Sequence, residues 1–137
     1  MKRNICILLA LLMVISTAAC GAKSAQVQDI EIIGEVQELG EGEKQFDFYA
    51  VDSEGKASAF IIHTDAETVG EALLENELIS GDESSYGLYV KTVNGVTADY
   101  DKDGCYWALY IDGKYAPSGV DSTEIEDGAS YMFKIEK

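Results

Sequence analysis

The chain has 137 residues, with 10 Lys and Arg set against 25 Asp and Glu for a formal charge of −15, and 1 His, 1 Trp and 1 Pro beside 8 Tyr. That length is enough for one small domain and its leader but not for two domains. Neutralising a nucleic-acid backbone takes many cationic side chains, so nucleic acid is excluded as an expected partner.

Met1-Lys2-Arg3 gives a positive start to an apolar run from Ile5 to Ile15, about 11 residues long and short of the ~20 that span a bilayer. Residues 1–19 therefore read as a signal peptide. Ser16, Thr17, Ala18 and Ala19 lead into Cys20-Gly21, which resembles the bacterial lipobox, where the cysteine is acylated and becomes the mature N-terminus. Thr17 stands where that motif more often has Leu. The expectation is a lipidated Cys20 and an extracytoplasmic chain anchored in the cell membrane, with free secretion after cleavage at Ala19 as the alternative. Beyond the leader there is no arginine, and the acidic excess should keep the domain solvated above an anionic membrane surface. Cys6 would leave with the leader and Cys20 would carry lipid, so Cys105 alone stays in the folded part, inside an apolar strand pattern that suits a small buried hydrophobe.

Residues 20–44 are rich in Gly, Ala, Ser, Gln and Glu and read as a tether, although Ile30 to Val36 could add an edge strand. The domain proper is expected over residues 45–137. Phe46-Asp-Phe-Tyr-Ala-Val51 alternates, Asp52-Ser-Glu-Gly55 is turn chemistry, and Ala57 to Thr64 alternates again, which predicts a hairpin. Thr68-Val-Gly-Glu71 is a capping box and opens a helix of about 10 residues, with Val69, Ala72, Leu73 and Leu74 towards the core. Strands follow at Tyr86 to Val93, Cys105 to Ile111 and Ala129 to Ile135. In the second, Cys105, Trp107, Leu109 and Ile111 share one face and Tyr106, Ala108 and Tyr110 the other. Tyr131, Phe133 and Ile135 point inwards in the last. A hairpin, one helix and further strands make an α+β domain of β-grasp type.

Catalytic constellations are missing from this pattern. His63 is the only histidine, without a nucleophile-elbow motif, and no glycine loop for phosphate is present, so the chain reads as a non-enzyme. Asp99-Tyr-Asp-Lys-Asp-Gly104 reproduces the opening of a calcium loop, but its twelfth position is Tyr110 rather than a bidentate glutamate and its surroundings are strands. A solvated loop without metal is the expected reading.

Several parts of residues 64–137 stand in a distinctive order: the helix Thr68 to Asn76, Gly87-Leu-Tyr-Val-Lys-Thr-Val-Asn-Gly95, the Tyr106-Trp107 pair, Pro117-Ser-Gly119-Val120 and Asp127-Gly128 before the last strand. The set resembles the C-terminal β-domain of the transcobalamin and intrinsic-factor proteins and a related domain of Gram-positive surface lipoproteins. In that family a helical barrel and the β-domain sandwich a cobalamin, and this sequence carries no counterpart of the barrel. The resemblance implies a binding protein for a cobalamin-like or other planar molecule, held from one side, with no built-in cofactor. Tyr86, Tyr89, Trp107, Tyr110 and Tyr115 are the candidate aromatic contacts, with Pro117 to Val120 as a loop at the margin that contributes Pro117 and Gly119. The alternative is an interaction module for a surface protein or transporter subunit.

Overall fold

The computed structural model describes residues 30–137, so the expected signal peptide 1–19, Cys20 and the tether as far as Asp29 lie outside the described residues. Glu31 already belongs to a sheet. Strands β1 (Glu31–Ile32) and β2 (Gln37–Gly40) both run parallel to β4 (Lys56–Thr64), which is paired on its other side with β3 (Lys44–Val51). The tether boundary at residue 44 is therefore corrected, because residues 31–32 and 37–40 already pair in the sheet. Two features bring them in: the outer edge of β4 is otherwise open, and Leu39 packs against the core while Ile30 packs beside Val51 and Ala57.

The expected hairpin is β3 and β4, in register from Lys44↔Thr64 to Val51↔Ala57. Helix α1 (Val69–Glu75) follows, capped by Thr68, whose hydroxyl accepts the Glu71 N–H at 3.2 Å. Val69, Ala72 and Leu73 are buried as expected, but Leu74 is exposed. At about 100° per residue the buried Ala72, Val69, Leu73 and Gly70 fill one arc of the helix, and Leu74 falls just beyond its Gly70 end, on the solvent side. At Gly70 a Cβ would stand 2.9 Å from Asp121 Cα, so only glycine lets these backbones approach. Seven residues are too few for a helix stable by itself, and packing on the sheet holds it.

Strand β5 (Ile79–Ser84) was not foreseen, because its polar residues show no alternation. It exists through pairing with β6 (Gly87–Val93), with a bulge at Ser80/Gly81, and β7 (Val96–Thr97) completes a three-stranded sheet. A short helix α2 (Tyr100–Asp103) leads to β8 (Tyr106–Ile111), the two-residue β9 (Lys114–Tyr115), a 3₁₀ turn at Val120–Ser122 and β10 (Ser130–Glu136). Strand β10 enters the large sheet between β3, to which it is parallel, and β8, to which it is antiparallel. The parallel pair needs a crossover, and α1 with the small sheet provides it.

The core lies between the inner face of the large sheet and that crossover. Phe46, Phe48, Ile62, Tyr131 and Phe133 meet Val69, Leu73, Val90 and Val93, with Phe46 and Tyr131 edge to face at 5.2 Å. Trp107 and Leu109 extend the same face to β8, with Cys105 half buried against it. The domain is α+β with one main helix, as the periodicity predicted.

Candidate functional site

Strand β8 ends the large sheet, and β9 covers only its last residues, Tyr110 and Ile111. Ala116 N–H donates to the Leu109 carbonyl at 2.9 Å, so Leu109 and, two residues earlier, Trp107 turn their amide groups to that open side. No strand among the described residues pairs with them there. Facing this edge is β6 of the small sheet, and between the two lies a cleft of ≈ 370 Å³. Leu88, Tyr89 and Val90 form one wall and Tyr106 to Leu109 the other. The segment Tyr115 to Val120 makes the rim, with Phe133 beneath.

Each wall is fixed by a specific contact. Asp121 Oδ2 accepts the Leu88 N–H at 3.0 Å and so ties β6 to the 3₁₀ turn. The Lys91 ammonium lies 2.7 Å from Asp82 and 3.8 Å from Asp99, and 5.8 Å from the centre of the Tyr89 ring, a cation–π distance that steadies the ring. Trp107 Nε1–H donates to the Val96 carbonyl at 3.1 Å, which clamps the small sheet to β8.

Of the expected aromatic set, Tyr89, Trp107, Tyr115, Pro117 and Gly119 line the cleft. Trp107 is 7% exposed, so it is core packing that shows an edge to the cleft rather than an open stacking platform. Tyr86 and Tyr110 do not line it, which corrects their placement. Tyr86 sits at the tip of the β5–β6 hairpin, 95% exposed. Tyr110 points to the outer face of the large sheet, where its hydroxyl donates to Glu136 Oε1 at 2.7 Å. Face alone does not decide this, since Tyr106 and Ala108 share the face of Tyr110 and still line the cleft; the difference is that β9 pairs with Tyr110 through Tyr115 and covers the edge there. Sequence reasoning missed Leu88 and Tyr106 as lining residues, whereas Val120 belongs to the loop expected at the margin. Tyr106 alone had a signal, its place beside Trp107 in the motif.

No charged side chain lines the cleft. Partial burial, and then the neighbouring Tyr115 and Glu136, raise the Tyr106 hydroxyl above its ordinary range, so it is a neutral hydrogen-bonding group. His63 lies on the outer face of the other side of the sheet, with Nε2 against Glu38 Oε1 at 2.5 Å. The calcium-like stretch is engaged otherwise: Asp99 caps α2 by accepting the Asp101 N–H at 3.1 Å, and Asp103 Oδ2 accepts the Asp99 N–H at 3.2 Å. Among the described residues no group of three or more His, Cys, Asp or Glu is placed to share a metal ion.

No curated protein matches the chain. Among solved structures it is similar to a candidate metal binding protein from Ruminococcus gnavus ATCC 29149, at 27% identity and a TM-score of 0.66 over 69% of this chain and 98% of that one. It is also similar to haptocorrin in complex with Cbi, at 18% identity and a TM-score of 0.52 over 72% of this chain. The chain spans 26% of haptocorrin, and that likeness concerns the fold, which is the one the transcobalamin resemblance implied. Residues 66–137, more than half of the chain, match the family model of a domain of unknown function, DUF4430, and the chain belongs to that family.

Proposed function

We propose that this chain is a non-enzymatic, lipid-anchored extracytoplasmic binding protein whose cleft captures a flat small molecule of cobalamin-like kind. The observation that carries this reading is the uncharged, aromatic-walled cleft at the open edge of β8. Ligand sites are mostly apolar with a few placed polar groups, and this cleft has the Tyr89, Tyr106 and Tyr115 hydroxyls, Ser118 and the β8 edge at Trp107, where no strand among the described residues pairs. Its volume of ≈ 370 Å³ covers one face or one edge of a corrin-sized ring and does not enclose it. The complex of haptocorrin with Cbi and the candidate metal binding role of the Ruminococcus protein support a binding function. The described residues offer no shared set of metal donors of their own, so a metal held by them would arrive inside an organic ligand. No histidine, cysteine or carboxylate lines the cleft, which supports binding over catalysis.

Titration of the purified full-length chain with cobalamins, followed by visible absorbance and calorimetry, tests the reading. Saturable uptake of one equivalent is expected, and silence across the panel overturns it. For the anchor, Cys20→Ala should release the chain from the membrane fraction, and unchanged retention would remove lipidation from the proposal. A protein partner is the second reading, favoured by Tyr86, an exposed ring on a projecting hairpin.

A further inference from the structure

We infer that the cleft selects by charge: it takes flat ligands whose inserted part is neutral or cationic and rejects anionic ones. This rests on the cleft reading above and names the ligand class of the same site. Three observations carry it. The lining has no cation to meet a carboxylate, sulfonate or phosphate. Behind the wall made by Leu88 and Gly119 sits the Asp121 carboxylate, whose Oδ2 accepts the Leu88 N–H while Oδ1 is buried without a hydrogen-bond partner in the described structure. A Cβ at Gly119 would stand 3.2 Å from that Oδ1, so the charge lies directly under the rim. Across the same rim, Ser118 is shared with a second recess of ≈ 330 Å³ lined by Glu124 and Glu126.

Neither Lys91 nor Lys114 offsets this. Lys91 is engaged by Asp82 and Asp99, and Lys114, beside Tyr115, does not line the cleft. A low-dielectric wall backed by fixed negative charge focuses its field into the opening, so an anionic substituent is repelled and a cationic one attracted.

Two porphyrins with the same ring test the inference: tetra(N-methylpyridinium)porphyrin and tetra(sulfonatophenyl)porphyrin, each titrated into the full-length chain. Trp107 is the only tryptophan and lines the cleft, so quenching of its fluorescence reports binding at this site. The cationic ring is expected to saturate at one equivalent and bind at least about tenfold more tightly than the anionic one, a ratio that shrinks as salt is added. Glu124→Gln with Glu126→Gln should cut the ratio by about threefold or more, as should Asp121→Asn, which retains an acceptor for Leu88 N–H. Glu31→Gln with Glu35→Gln, at the far edge of the sheet, is the control for diffuse charge. Equal affinities, tighter anionic binding or an equal effect of the control pair overturns the charge selection and leaves the cleft as a binding site. Failure of both rings to quench Trp107 overturns the cleft reading as well.

Discussion

Asp121 Oδ2 accepts the Leu88 backbone N–H at 3.0 Å, a bond between residues 33 apart in sequence that joins the 3₁₀ turn to the first residues of β6. It sets the distance between the rim and one wall of the cleft. Gly70 and Gly87 both leave room for it, since a Cβ at Gly87 would stand 2.5 Å from the same oxygen. Asp121→Ala leaves the Leu88 N–H unpaired, so the domain should lose about 1–3 kcal/mol of stability. Urea unfolding monitored by Trp107 fluorescence measures it, and an unchanged midpoint would show that the clasp carries no stability.

Gly81 forms the bulge of β5 at a place where a Cβ would fall on the Tyr89 carbonyl. Gly81→Ala must open the β5–β6 ladder, because the obstacle is backbone and cannot rotate away. A destabilisation of about 1–3 kcal/mol is expected, together with weaker ligand uptake as Tyr89 shifts. Thermal unfolding and a cobalamin titration of the same variant report the two effects, and full stability with full uptake would contradict the close packing.

Uptake should depend on which tyrosines face the cleft. Tyr89→Ala and Tyr115→Ala are expected to weaken binding by about 2–10-fold each, the value of one aromatic contact of about 0.5–1.5 kcal/mol. Tyr86→Ala, at the hairpin tip, should bind as the parent does. Calorimetry of the three variants decides, and a loss confined to Tyr86→Ala would move the site from the cleft to the hairpin.

Tyr110 makes stability sensitive to alkaline pH. Burial, then the hydrogen bond to Glu136, push its pKa up from 10.0 to about 12. Its neutral form is favoured by folding, so the contribution is fully present below about pH 10, where the unfolded chain still holds the proton. It is lost as pH rises from there through about 12. The melting temperature of the parent should therefore fall across this window more steeply than that of Tyr110→Phe. Parallel melting curves would show that the bond to Glu136 is not maintained in solution.

The sequence by itself determined the elements whose signal is local. Phe46 to Val51 and Ala57 to Thr64 alternate because one face of each is buried, and Thr68 with Glu71 marks the helix start by its own hydrogen bonding. The inward sets of β8 and β10 followed from the same two-residue period. Short polar strands gave no such signal: β1, β2 and β5 exist because an edge of β4 or β6 was free to pair with them. Tertiary structure alone decided the cleft. Tyr89 and Tyr115 come together across it from separate parts of the chain, whereas Tyr110, which shares a strand with Trp107, is turned away. Periodicity assigns a side chain to a face of its own strand, but which faces and edges meet depends on the crossover that lays the small sheet beside β8, and that is a property of packing rather than of any one segment.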